Sequence, residues 1–170
     1  MRVLALDPGP EKTAWVLYHP EMRFAEGGCE VLGSENQDAN RQLRALIDHA
    51  DRVVCEGIQS YGMPVGRTTF DTAMWIGRYQ EYAEMVIGIE FEILYNPEVR
   101  LHLCRSSRAK DAHVRRALLD RYPETGGGAT PQIGTKKLPG PLFGFKEHMW
   151  SALAVAVAWD EQRRANNATM

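Results

Sequence analysis

Short apolar runs separated by turn signals make up the start of the chain. The run RVLALD at 2–7 ends in a carboxylate, PGPE follows as a turn sequence, and TAWVLYHP at 13–20 resumes the apolar pattern. Apolar runs on both sides of a Pro/Gly turn are typical of a β-hairpin. We therefore predict two paired strands with Asp7 at the end of the first, and a third strand over FAEGGCEVL at 24–32.

The next part of the chain combines a helical pattern with a buried strand. Apolar residues recur at helical spacing over 36–50, and the β-branched run RVVCEG at 52–57 ends near Glu56. The unbroken apolar character of this run favours a central strand that is buried on both faces. Residues 60–66, SYGMPVG, predict a loop.

A second helical pattern begins at Thr68 or Thr69, either of which can cap it, and continues to about Gly88. The alternating segment IEFEILYNP at 89–97 then predicts a strand that Pro97 ends.

The last third of the chain predicts two helices joined by a long loop. KDAHVRRALLDRYP at 110–123 has a helical pattern, residues 125–145 are rich in Gly and Pro, and an apolar helix follows at 146–164. A Gly- and Pro-rich loop of this length is typical of a functional loop or flap. We expect one compact domain over 1–163 and a short C-terminal tail at 164–170.

These elements predict an α/β protein with a mixed five-stranded sheet flanked by helices. A length of 170 residues with 44% hydrophobic content is enough for one domain with a real core. No apolar run approaches the ~20 residues that cross a bilayer, and the start lacks a secretory signal, so we expect a cytoplasmic protein without membrane contact. The three cysteines, Cys29, Cys55 and Cys104, suit reduced thiols better than a disulfide or zinc framework.

Basic residues are concentrated in the second half, although the formal net charge is only −2. Two basic stretches contain Arg100, Arg105, Arg108, Lys110, Arg115 and Arg116, and then Lys136, Lys137 and Lys146. Such stretches are either solvated surface or phosphate-binding surface, and the sequence leaves both interpretations open.

Two acids, Asp7 and Glu56, stand at the ends of strands that we predict to be neighbours. Carboxylates brought close together are costly unless a positive charge compensates them, and a hard divalent cation such as Mg²⁺ does so. Paired metal ions can activate a water and stabilise the leaving oxygen of a phosphodiester. The competing interpretation is that each acid only caps a turn.

The blocks LALDPG with a following Thr, VVCEG and the terminal HMWSALAVAVA resemble the RuvC family of Holliday-junction resolvases in order and approximate spacing. The resemblance implies a ribonuclease-H-like fold and a homodimer that cuts opposed strands of a four-way junction. It also implies magnesium or manganese, with two ions per site, and it matches Asp7 and Glu56 to the first two catalytic acids. The D-P-G turn alone also occurs in sugar kinases and actin-like ATPases.

The last block departs from the family pattern. Family members usually carry an acid or a histidine at the position of His148 and an acid three residues later, where this chain has Ser151. Glu147 lies four residues before Ser151 in the predicted helix and so projects from the same helical face, where it can replace the missing ligand. We therefore predict Asp7, Glu56, Glu147 and His148 as catalytic and metal-binding residues, although Glu147 and His148 also suit a helix cap or plain surface.

Candidate DNA contacts follow from the same resemblance. The segment after Glu56 matches the family's junction-facing loop, where Tyr61 or Met63 would wedge between bases; ordinary loop packing is the alternative. The residues expected to contact phosphates are Arg67, Arg105, Arg108, Lys110, Lys136 and Lys137. The helix that carries Phe70, Met74, Trp75 and Tyr82 is the predicted dimer interface or, alternatively, core.

The function that we expect is a metal-dependent endonuclease that resolves Holliday junctions and related branched DNA. The alternative is a catalytically impaired junction-binding module, and an ATPase with an actin-like fold is less favoured. Ser151 supports the junction-binding module. The ATPase interpretation lacks a second Gly-rich phosphate loop and enough chain for paired domains, so we expect no nucleotide cofactor. The preferred branched substrate, sequence selectivity, preferred metal and bacterial or phage origin stay open.

Overall fold

The computed structural model describes residues 1–21, 24–31, 37–60, 62 and 64–169. The strands are β1 (Val3–Pro8), β2 (Lys12–His19), β3 (Phe24–Val31), β4 (Arg52–Gly57) and β5 (Phe91–Tyr95). The helices are α1 (Gln37–Asp48), α2 (Arg67–Glu81), α3 (Asn96–Cys104), α4 (Asp111–Leu119) and α5 (Met149–Thr169), with a π-helical segment, Tyr82–Ile87, continuing α2. The mixed α/β class that the sequence predicts is confirmed.

The sheet has the order β3-β2-β1-β4-β5. Strand β1 pairs antiparallel with β2 and parallel with β4, and β4 pairs parallel with β5. Leu6 of β1 lies opposite Cys55 of β4, so the residues that follow them, Asp7 and Glu56, come next to each other at one edge of the sheet. The parallel pairing of β1 and β4 therefore brings together two acids that are far apart in the sequence.

Helices cover both faces of the sheet. Alternate residues of β1 point to opposite sides, so Val3 and Ala5 belong to a core with α3, α4 and α5. Leu4 and Leu6 belong to a second core with α1 and α2. The apolar part of α5, from Ala152 to Trp159, is completely buried in the first core. Because α5 crosses directly over the central strands, its first turn is fixed beside the edge that carries the two acids.

The final helix begins later than the sequence predicts. It starts at Met149, and Glu147 has a left-handed backbone with φ of 45°. The prediction that the helix begins at Lys146 is therefore wrong, because the apolar periodicity shows which face is buried and does not show where the first turn starts. At its other end the helix continues to Thr169, so residues assigned to a C-terminal tail are helical.

The sequence also missed helix α3. Strand β5 ends at Tyr95, and Asn96 and Pro97 form the first turn of a helix where a strand was predicted to continue to Pro97. Proline fits the first turn of a helix because that turn has no partner for its backbone N–H. The Glu98 carboxylate accepts a hydrogen bond from the Tyr95 N–H at 3.3 Å, which stabilises this helix start.

Smaller features agree with the sequence. The helical pattern that ends near Gly88 does end there, with a left-handed glycine at φ of 80°. Residues 125–145 form no helix, and the bridge between Gly134 and Pro139 is isolated. Among the described residues, Cys55 and Cys104 are free thiols. No helix in the described ranges is both long enough and apolar enough to cross a membrane.

Candidate active site

The two acids at the sheet edge, Asp7 and Glu56, form the centre of the site. Asp7 follows the buried part of β1 and Glu56 follows the buried part of β4, and the parallel pairing sets them side by side. The Asp7 side chain is only 15% exposed. Backbone hydrogen bonds within the sheet hold both residues, so their separation does not depend on a loop.

The electrostatics of this pair call for a positive charge. The pKa of Asp7 is raised from 3.8 to about 8, first by burial, then by repulsion from Glu56 and by a hydrogen bond with the Glu56 carboxyl. In the metal-free protein a shared proton therefore replaces one of the two charges near neutral pH. A divalent cation can replace that proton, because carboxylate oxygens are the ligands that Mg²⁺ prefers.

Two residues, one just before α5 and one in its first turn, contact Asp7. The Nδ1 atom of His148 lies 3.2 Å from Oδ2 of Asp7, and the Ser151 hydroxyl hydrogen-bonds to the same carboxyl group, which opposes the rise in its pKa. The structure thus brings His148 to the predicted site. Ser151 contributes a neutral hydroxyl where an acid would bring a charge.

Glu147 points to a different partner. Its carboxylate lies 3.1 Å from Nζ of Lys12, and its side chain is 65% exposed. The hydrogen bond from Lys12 lowers the pKa of Glu147. The geometric reason for choosing Glu147 is wrong, because it precedes α5 and shares no helical face with Ser151. Its role as a metal ligand remains a prediction.

Asn96 is a site residue that the sequence did not reveal. Its Nδ2 atom donates a hydrogen bond to Oε1 of Glu56 at 2.5 Å. Arg100, one turn further along α3, donates from Nε to the Oδ1 atom of Asn96. The sequence carried no usable signal for these contacts because helix α3 was not predicted.

A cleft of about 840 Å³ opens beside the acids. Its lining includes Glu56, His148 and Ser151 together with apolar side chains of α3, α4 and α5. Its basic lining residues are Arg100, Arg115, Arg116 and Lys146. The Arg115 guanidinium lies over the Trp150 ring at 4.8 Å, which holds this positive charge at the cleft wall. A negatively charged ligand can therefore approach the acids along a basic wall.

The predicted DNA-contact residues lie on separate elements, and only some of them are near the acids. Arg105, Arg108 and Lys110 are exposed in the connection between α3 and α4, and Arg108 lines a smaller cavity with Asn96 and Arg100. Three others are exposed elsewhere, at the start of α2 and in the long loop: Arg67, Lys136 and Lys137. Tyr61 and Met63 lie outside the described residues.

The donor set fits one cation better than two. Within the part of the chain that the structure describes, no group of three or more His, Cys, Asp or Glu side chains is arranged to hold a metal ion. The Asp7 and Glu56 pair fits a hard cation by its chemistry and by the raised pKa of Asp7. A second ion has fewer ligands available, because Glu147 is paired with Lys12.

Comparison with solved structures identifies the fold. The structure of Thermus thermophilus RuvC matches with a TM-score of 0.66 and 15% sequence identity, covering 97% of each chain. RuvC from the same organism in complex with Holliday junction substrate matches with a TM-score of 0.60 and 15% identity, covering 96% of each chain. No protein-family model and no curated protein matches the sequence. The chain therefore has a RuvC-like fold, and the predicted family resemblance is confirmed at the level of fold.

Proposed function

We propose that this chain is a divalent-metal-dependent endonuclease that cuts branched DNA, with four-way junctions as its main substrate. The observation that carries the proposal is the Asp7 and Glu56 pair, whose mutual repulsion and burial call for a cation at the mouth of a basic cleft. The likeness in fold to a RuvC bound to Holliday junction substrate supports the choice of DNA. In this proposal residues 1–163 act as one nuclease domain.

In the proposed mechanism, Asp7 and Glu56 hold Mg²⁺ or Mn²⁺. The bound metal would lower the pKa of a water and stabilise the leaving oxygen of the phosphodiester. His148 and Ser151 orient the Asp7 carboxyl through the contacts described above. If two ions bind, His148 and Glu147 are the remaining candidate ligands for the second. The basic wall of the cleft binds the scissile strand through its phosphates.

The wider DNA surface consists of residues on separate elements. The proposed phosphate contacts are Arg67, Arg105, Arg108, Lys110, Lys136 and Lys137, and the proposed wedge residues are Tyr61 and Met63. Two nicks in opposed strands need two sites, so we propose a homodimer. The exposed Phe70 and Met74 on α2, at 59% and 56% exposure, support that helix as the contact face.

A junction-binding module without catalysis is the second candidate. Ser151 stands where an acid is expected, and the described residues contain no three-ligand metal cluster. Both candidates predict binding to branched DNA, so binding alone cannot separate them.

The deciding experiment compares cleavage of four-way, three-way, flapped and linear DNA in Mg²⁺ and in Mn²⁺. We expect metal-dependent cutting at the branch and none in Asp7→Asn. A matched control is Asp51→Asn. The Asp51 carboxylate accepts a hydrogen bond from the Arg2 N–H at the opposite end of β1 and β4. Binding of junctions without any metal-dependent cutting would favour the non-catalytic module. Equal binding and equal cutting of branched and linear DNA would contradict both candidates.

A further inference from the structure

We infer that Asn96 is a positioning residue that orients the Glu56 carboxylate for metal binding and is itself held by Arg100. This inference rests on the proposed function, since it assigns a role within the same metal site. It is carried by a chain of contacts from Glu56 through Asn96 and Arg100 to the start of α4.

The topology explains why Asn96 reaches Glu56. Strand β5 is the parallel neighbour of β4, with Glu56 opposite Leu94 and Gly57 opposite Tyr95. Asn96 is the next residue, so it emerges at the same sheet edge as the acids. Its amide reaches Glu56 across 40 positions in the sequence, at 2.5 Å.

The orientation of the Asn96 amide follows from its second partner. An asparagine side chain has one oxygen acceptor and one NH₂ donor group, and a guanidinium can only donate. Because Arg100 donates to the oxygen of Asn96, the NH₂ group has to face Glu56. The last torsion of a glutamate side chain is broad and weakly restricted, so this hydrogen bond fixes the plane of the carboxylate.

Arg100 is anchored from the opposite side. Its guanidinium also donates to the Ala109 carbonyl and, at 2.6 Å, to the Asp111 carboxylate. These partners lie at the end of the α3–α4 connection, which carries Arg105, Arg108 and Lys110. Asn96 is therefore linked, through Arg100, to the same connection that carries three proposed phosphate contacts.

A role in positioning predicts a specific loss of metal affinity. Groups that hydrogen-bond a metal ligand typically change metal affinity 10- to 100-fold when they are removed. Asn96→Ala should weaken Mn²⁺ binding by about tenfold or more, measured by electron paramagnetic resonance of free Mn²⁺ without DNA. Asn167→Ala makes the same chemical change at an exposed position near the end of α5 and should leave Mn²⁺ binding unchanged.

A second variant separates positioning from plain structural support. Arg100→Gln leaves Asn96 in place but removes the group that fixes its amide, so it should weaken Mn²⁺ binding in the same direction. The double variant should be scarcely worse than Asn96→Ala alone, because the two residues act as one unit. A structural role would instead lower the melting temperature without a matching loss of Mn²⁺ affinity.

The results separate this inference from the function on which it rests. Wild-type Mn²⁺ affinity in folded Asn96→Ala and Arg100→Gln proteins would overturn the positioning role and leave the proposed nuclease intact. A wild-type protein that binds no Mn²⁺ would overturn the proposed function and this inference with it. If Asn96→Ala does not fold, the Arg100→Gln measurement alone decides between the outcomes.

Discussion

The two halves of the site are built in different ways. Asp7 and Glu56 lie on paired strands, and the Asp7 side chain is 15% exposed. Glu147 and His148 lie just before α5, outside regular structure, with side chains 65% and 59% exposed. The strand half has its geometry set by the sheet, whereas side chains in the other half can be drawn to other partners, as Glu147 is to Lys12. We therefore expect the strand half to dominate metal binding and catalysis.

The largest expected effect comes from the strand half. Asp7→Asn or Glu56→Gln should reduce cleavage by about 10³-fold or more, because metal ligands act mainly on the transition state. Junction affinity should stay within a few-fold of wild type. Gel-shift and cleavage assays on the same preparation measure both, with circular dichroism to verify folding. Loss of junction binding in a folded variant would make the acids part of the DNA-binding surface.

The second effect concerns stability without metal. The pKa of Asp7 is about 8 in the folded protein against an ordinary 3.8, so the folded state holds a proton that the unfolded chain releases. This stabilisation is complete below about pH 4 and is lost as the pH rises through about 8. At about 1.4 kcal/mol per pKa unit, the rise in pKa from 3.8 to about 8 corresponds to a fall of about 6 kcal/mol in the wild-type free energy of unfolding over the whole titration.

Asp7→Asn removes the titration and supplies the control. Urea unfolding in a chelator at pH 5 and at pH 8 should show the fall in wild type and a much smaller one in the variant. Excess Mg²⁺ at pH 8 should restore wild-type stability and have little effect on Asp7→Asn. Parallel curves for the two proteins would mean that neither burial nor repulsion from Glu56 raises the pKa of Asp7 in the folded state.

A smaller effect tests whether a carboxylate in the first turn of α5 can strengthen metal binding by Asp7 and Glu56. Ser151→Asp places a carboxylate where the side chain already contacts Asp7, so it should increase Mn²⁺ affinity about tenfold, the size of effect typical of groups that contact a metal ligand. Ser151→Asn has a similar size without the charge and should not. Titration of Mn²⁺ into each protein gives the comparison. Weaker binding by Ser151→Asp would show that this turn cannot supply a ligand.

The smallest effect is expected at Glu147. Because its carboxylate is exposed and paired with Lys12, Glu147→Gln should change cleavage by less than about threefold, in line with the small energies of surface ion pairs. Cleavage rates at saturating and limiting Mg²⁺ test this. A loss of orders of magnitude at limiting Mg²⁺ would mean that Glu147 leaves Lys12 and binds the metal, and the contrast between the two halves would fail.

The sequence revealed the strand half because short, continuous apolar runs mark buried strands well. The runs before Asp7 and Glu56 predicted both strands, and the family resemblance predicted that their acids belong together. The position of Glu147 and His148 was harder to predict, because the sequence has no typical N-cap residue at 146–148 to mark where α5 begins. The left-handed backbone at Glu147 is a tertiary feature that no periodicity reveals.

Asn96 was hidden for a different reason. The sequence pattern predicts that Pro97 ends a strand, although proline is equally suited to the first turn of a helix. With α3 missing, the side chains of Asn96 and Arg100 had no defined direction. Their hydrogen bonds join residues brought together only by the β4–β5 pairing, so propensity and pattern alone could not find them.

The position of α5 in the fold also has a consequence for synthesis. Asp7 leaves the ribosome about 140 residues before His148 and Ser151, which is on the order of 10 s at typical elongation rates. Helix α5 also supplies the buried centre of one of the two cores, from Ala152 to Trp159. A nascent chain therefore completes one of its two hydrophobic cores and gains its last site residues in the same step. Chains truncated before α5 should be unable to fold, so that incomplete products never carry the assembled site.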